Sequence, residues 1–124
     1  MIAVDTSSLV AFLSGTQGHD VDMVAEAVDG HQAVLPPVVL TELVSDPTLP
    51  ATVRAALLEL PLLPVTQGFW ERAGLLRATV LSKRRKARIA DALIAQSCLD
   101  ASVPLVTRDR DFRHFATTAG LTLL

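Results

Sequence analysis

Short apolar runs alternate with segments of helix length along the chain, and this alternation restricts the possible folds more than any other feature. Strands separated by helix-length segments cannot pair as hairpins, so parallel pairing with crossover helices is favoured. We therefore predict an α/β fold with a central, mainly parallel five-stranded sheet and helices on both faces. The runs of strand length are Ile2–Val4, Ala33–Leu35, Leu62–Val65, Val103–Val106 and Leu121–Leu124.

Between these runs, apolar residues recur at the spacing of one helix face, or a proline marks a first helical turn. The predicted helices include Val21–Val28, Val38–Ser45, Val53–Leu60, Phe69–Val80 and Ala92–Leu99. Because no repeat, low-complexity tract or Gly/Ser linker divides the chain, we expect residues 1–124 to form one domain.

Composition excludes several classes of protein. Half of the residues are hydrophobic and 19% are charged, with a net charge of −2, which fits neither a disordered polyelectrolyte nor a uniformly basic coat protein. Cys98 is the single cysteine, so no disulfide forms within the chain, and its apolar neighbours favour a buried thiol. The sequence has neither a secretory signal pattern nor an apolar run of membrane-spanning length, and we expect a cytoplasmic protein.

Four acidic residues occupy positions that a parallel sheet brings to one edge. Asp5 follows the first predicted strand, Asp109 follows the fourth, and Glu42 lies on the helix after the second. Asp91 begins the helix that leads into the fourth strand, and such a helix starts at the same edge. Ligands of open parallel sheets bind beyond the carboxyl ends of the strands. The sequence therefore predicts a cluster of four carboxylates.

Clustered carboxylates repel one another unless cations compensate their charge. Ligand sets made only of oxygen favour Mg²⁺ or Mn²⁺, whereas zinc has little support because the chain lacks paired Cys/His spacing. A simpler role stays open for each acid. Asp5, Asp91 and Asp109 are also suitable helix N-caps. Glu42 either lies buried among apolar neighbours, where it needs a partner, or faces solvent. The three histidines are His19, His31 and His114.

Four motifs carry a resemblance to a known family. In order they are Ile2–Ala11, Val38–Leu43, Ile89–Gln96 and Leu105–Phe112, each containing one of the four acids. With these motifs the chain resembles the PIN-domain ribonucleases, and among them the VapC toxins of prokaryotic toxin–antitoxin pairs. Many relatives carry a glycine before the third acid, whereas here the basic segment Lys83–Arg88 runs into Ile89 without one.

The resemblance implies roles for individual residues. Asp5, Glu42, Asp91 and Asp109 correspond to the metal-binding and catalytic acids. Asp111 is either a fifth metal ligand or a solvated acid in a first helical turn. The hydroxyls of Ser7 and Thr107 either support the site through hydrogen bonds or serve as cap and turn groups.

The resemblance also implies an activity and partners. The chain would be an Mg²⁺- or Mn²⁺-dependent endoribonuclease that cuts a structured RNA, such as transfer RNA or a ribosomal loop, and slows translation. A small cognate antitoxin and a second copy of the chain would be its protein partners. Arg84, Arg85 and Arg88 are candidates for contact with the RNA backbone, with a solvated charged face as the alternative. A non-catalytic PIN-like module that binds RNA or protein is the competing interpretation.

Overall fold

Three short strands and seven helices make up the fold. The computed structural model describes all residues, 1–124. The elements, in chain order, are β1 (Ile2–Val4), α1 (Thr6–Leu13), α2 (His19–Asp29), β2 (Ala33–Val34), α3 (Pro37–Val44), α4 (Ala51–Leu58), α5 (Phe69–Ser82), α6 (Ile89–Ala101), β3 (Leu105–Val106) and α7 (Phe112–Ala119).

The strands form one parallel sheet in the order β2-β1-β3. Ala3 in the central strand pairs with Val34 on one side and with Leu105 on the other. The carboxyl ends of all three strands therefore meet at one edge of the sheet. The α/β class and the parallel sheet predicted from the sequence are confirmed.

The prediction of five strands is wrong. Each of the two outer segments, Leu62–Val65 and Leu121–Leu124, pairs through a single parallel bridge, to Leu35 and to Leu105 respectively. Leu62 and Leu63 lie between Pro61 and Pro64, which have no N–H to donate to a ladder. Beyond Gly120, the only backbone bonds between the last segment and β3 are those that Leu105 makes, with Thr122 and Leu124.

Apolar side chains on both faces of the sheet form a core of 24 buried residues. Helix α6 lies at its centre, because nearly every residue from Asp91 to Cys98 is buried. The aromatic rings of Phe112 and Phe115 anchor α7 to the same core with no exposed surface. The side chain of Trp70, at the start of α5, is instead 65% exposed. None of the helices is long and apolar enough to cross a membrane.

Candidate metal centre

Three carboxylates converge at the edge of the sheet where the strands end. Asp91, Asp109 and Asp111 each present one oxygen atom within 4.8 Å of the others. Asp91 lies in the first turn of α6, Asp109 in the loop after β3, and Asp111 immediately before α7. We refer to these three residues as the acidic trio.

Asp91 has the least favourable environment of the trio. Its side chain is buried, and Oδ2 has no hydrogen-bond partner. Burial, followed by the charges of Asp109 and Asp5, raises the pKa of Asp91 to about 6, although Arg88 acts in the opposite direction. A carboxylate that is buried, unpaired and surrounded by like charges is stabilised by a cation.

Asp5 lies beside the trio at the end of β1, and only 4% of its surface is exposed. It is the N-cap of α1, so the capping role that the sequence left open is present. Its Oδ2 accepts hydrogen bonds from Ser7 Oγ at 2.7 Å and Thr107 Oγ1 at 2.8 Å. These bonds all use one oxygen, which leaves Oδ1 available as a ligand.

The same two hydroxyls hold the loop that carries Asp109. Ser7 Oγ accepts a hydrogen bond from the backbone N–H of Arg108 at 3.2 Å, and Thr107 Oγ1 accepts one from Asp109 at 3.0 Å. Asp109 Oδ1 in turn accepts the backbone N–H of Asp111 at 2.9 Å. The hydroxyls therefore connect the end of β1 to the loop that follows β3.

Glu42 is close to this edge but is not part of the trio. Its side chain is exposed on α3. Of the two alternatives that the sequence left open, burial with a partner or exposure to solvent, the structure has the second. Its Oε1 accepts a hydrogen bond of 2.8 Å from Thr6 Oγ1, and Thr6 is the residue that follows Asp5. Glu42 therefore lies at the rim of the site.

An ion pair that the sequence did not predict connects the loop that carries Asp109 to α2. The guanidinium of Arg108 donates two hydrogen bonds, of 2.8 and 2.9 Å, to Asp20 on α2, which also accepts one from Ser8 Oγ. Hydrogen bonding to Arg108 lowers the pKa of Asp20 to about 2. No periodicity or motif in the sequence indicates this pair.

The basic segment Lys83–Arg88 lies next to the trio. Lys86 Nζ is 3.4 Å from Asp111 Oδ2, and the charge of Arg88 acts on Asp91. Within this segment Arg84 adopts the left-handed conformation, with φ of 59°. The segment is thus a turn between α5 and α6 that brings cations beside an acidic site.

A divalent cation fits this set of donors. The trio contributes only carboxylate oxygens, and the unpaired buried oxygen of Asp91 is a ligand atom without a partner in the protein. Hard cations such as Mg²⁺ and Mn²⁺ prefer such oxygens. None of the three histidines belongs to the cluster, so the donor set is not one typical of zinc.

This combination of fold and acidic edge defines a family. The sequence profile of the PIN domain matches residues 2–117, so the chain belongs to the PIN-domain family. A search of curated proteins found no significant match.

Solved structures with the same fold include a member of the VapBC family of toxin–antitoxin systems. The chain is similar to VapBC-5 of Mycobacterium tuberculosis, with 23% identity, a TM-score of 0.71 and coverage of 99% of this chain and 96% of the other. It is similar to VapBC2 of Rickettsia felis, solved with a promoter DNA fragment, with 19% identity, a TM-score of 0.74 and coverage of 100% and 98%. It also resembles FitAcB of Neisseria gonorrhoeae, with 16% identity, a TM-score of 0.71 and coverage of 100% and 96%.

Proposed function

We propose that the chain is a single-domain, Mg²⁺- or Mn²⁺-dependent endoribonuclease. The observation that carries the proposal is the buried, unpaired oxygen of Asp91 among the carboxylates of Asp109 and Asp111. Membership of the PIN-domain family supports the same assignment. The reaction is hydrolysis of a phosphodiester bond in RNA.

Asp5, Asp91 and Asp109 are the proposed metal ligands, with Asp111 as an additional one. These carboxylates would hold a divalent cation, which would supply a water molecule of lowered pKa and offset charge on the phosphate. Ser7 and Thr107 fix the carboxylate of Asp5. Glu42, exposed at the rim, accepts a hydrogen bond from the attacking water and so orients it. Arg84, Arg85 and Arg88 attract the RNA backbone.

The biological role proposed is that of a toxin in a type II toxin–antitoxin pair. The fold shared with the VapBC structures supports this role. The substrate would be a structured cellular RNA, transfer RNA or ribosomal RNA, whose cleavage inhibits translation in the cytoplasm. A small cognate antitoxin is the expected partner, and we expect the toxin itself to be a homodimer.

Cleavage of transfer RNA by the purified protein tests the activity. We expect cleavage with Mg²⁺ or Mn²⁺, none with a chelator, and a loss of about a hundredfold or more in Asp5→Asn, because an amide is a poor metal ligand. Asp29→Asn, which removes an exposed carboxylate at the end of α2, is the matched control. Undiminished cleavage with chelator present would rule out the metal mechanism.

Thermal unfolding tests metal binding without reference to activity. Mn²⁺ that binds the native state stabilises it, and the stabilisation increases with the affinity. We expect Mn²⁺ to raise the melting temperature of the wild type and of Asp29→Asn, and to have no effect on Asp91→Asn. A protein that binds Mn²⁺ and RNA but cleaves no RNA would instead be the non-catalytic PIN-like module.

A further inference from the structure

A cavity of about 380 Å³ lies apart from the acidic trio, and all of its lining residues are polar. It is formed where the end of α5 and the basic segment approach α7. We refer to it as the basic cavity. Its lining residues are Lys83, Arg85, Arg113, His114, Thr117 and Thr118.

The cations of this cavity have no anionic partner in the protein. The three ion pairs of the structure involve Arg72, Lys86 and Arg108, none of which lines the cavity. No carboxylate is among the lining residues. Like charges around a concave surface repel one another, and a bound anion relieves that repulsion.

Stabilisation of the helices does not account for this arrangement. Lys83 lies at the C-terminal end of α5, where a cation interacts favourably with the helix dipole. Arg113, however, is in the first turn of α7, where the dipole disfavours a cation. Thr117 and Thr118, one turn further along α7, add hydroxyl donors. Lysine, arginine and threonine side chains commonly donate hydrogen bonds to phosphate oxygens.

The basic cavity lies close to the acidic trio. Arg113 lines it and also lines a neighbouring cavity with Thr107 and Asp109. Its Cα is two residues from that of Asp111, a separation of at most about 7.6 Å. On the other side, Lys86 follows Arg85 and pairs with Asp111. Arg113 and the adjacent residues Arg85 and Lys86 therefore link the surroundings of the trio to the basic cavity.

We propose that the basic cavity binds a backbone phosphate of the RNA, at a fixed distance from the phosphate that is cleaved. This inference rests on the proposed ribonuclease function and adds a substrate subsite to it. None of the lining residues is Phe, Tyr or Trp, and the lysine, arginine and threonine donors suit phosphate oxygens, so we expect a contact that is independent of sequence.

Cleavage kinetics on RNAs of different length test the subsite. The double variant Lys83→Ala, Arg85→Ala is compared with Arg54→Ala, an exposed arginine on α4 that lines neither cavity. An RNA of about twelve nucleotides carries enough phosphates to occupy both sites, whereas a short RNA of two nucleotides carries only the phosphate that is cleaved. We expect the KM for the long RNA to be about tenfold higher in the double variant than in the wild type. The KM values for the long and the short RNA should then be similar. Arg54→Ala should behave as the wild type.

Salt dependence gives a second readout. Binding of the long RNA, measured in chelator so that no cleavage occurs, should lose about 0.7 from the slope of log affinity against log salt for each phosphate contact removed. Equal KM ratios and slopes in all three proteins, with cleavage intact, would overturn the subsite but leave the ribonuclease function. Binding that depends on Lys83 and Arg85 without any cleavage would support the subsite and overturn the ribonuclease function. Absence of RNA binding by the wild type would overturn both.

Discussion

At the scale of single residues, two buried or half-buried carboxylates show how their surroundings decide their behaviour. Asp91 has an oxygen without a partner, and burial raises its pKa to about 6. Asp20 has a bidentate arginine partner, and its pKa falls to about 2. The first is suited to binding a cation from solution, whereas the second already has a cation from the protein and serves the structure.

The Asp20 pair predicts a pH-dependent contribution to stability. A carboxylate with a lowered native pKa stabilises the fold above its unfolded pKa, near 4, and this stabilisation is lost as pH falls toward about 2. Because Arg108 is partly exposed, we expect Asp20→Asn to reduce the free energy of unfolding by only about 1 kcal/mol near pH 7.

Urea denaturation across this pH range measures the effect. The difference between Asp20→Asn and the wild type should shrink as pH falls from about 4 toward about 2. Asp22→Asn, an exposed carboxylate in the same helical turn with no ion pair, is the control and should lack this trend. A difference that stays constant with pH would contradict an electrostatic origin.

At the scale of secondary-structure elements, hydroxyl groups set the relative position of β1 and the loop after β3. Ser7 and Thr107 each donate a hydrogen bond to Asp5 Oδ2 and each accept a backbone N–H from that loop. The carboxylate of Asp5 and the backbone at Asp109 are thus held by the same pair of side chains. Metal affinity should depend on these hydroxyls even though they need not touch the metal.

Thr107→Val tests this dependence, because valine keeps the shape of threonine and removes the hydroxyl. We expect Mn²⁺ affinity, measured by calorimetry, to fall about ten- to a hundredfold, as is typical when a hydrogen bond to a metal ligand is removed. Thr107→Ser restores the hydroxyl and should recover most of the affinity. Equal affinities in the valine variant and the wild type would show that Thr107 has only a turn-forming role.

At the scale of the whole molecule, large apolar side chains remain exposed on one side of α5 and α6. Trp70 and Ile89 are 65% and 63% exposed and line one shallow depression together with Leu93. Apolar patches of this kind commonly mark protein interfaces. We expect the homodimer to bury this surface.

Light scattering of the purified protein measures its oligomeric state. The wild type should have the mass of a dimer, and Trp70→Ser combined with Ile89→Ser should shift it to a monomer. Leu58→Ser, which changes an apolar residue of similar exposure on α4, is the control and should stay dimeric. A monomeric wild type, or a double variant that remains dimeric, would exclude this interface.

The sequence predicted those features that follow from periodicity and topology. The apolar runs identified β1, β2 and β3, and the rule for parallel sheets then placed Asp5, Asp91 and Asp109 at one edge. Contacts between elements left no such signal. Asp20 and Arg108 are 88 positions apart, and Arg113 meets the basic segment only because α7 packs beside it. The exposure of Glu42 likewise depends on which face of α3 the neighbouring helices cover.

The hydrogen bond between Thr107 and Asp5 spans 102 positions of the chain, which has a consequence for protein synthesis. A nascent chain that still lacks residues 105–111 has neither β3 nor two of the three carboxylates of the trio. Since translation proceeds from the N-terminus, the centre cannot assemble until residues 105–111 have left the ribosome. The proposed ribonuclease would therefore stay inactive toward RNA until these residues have been added and folded.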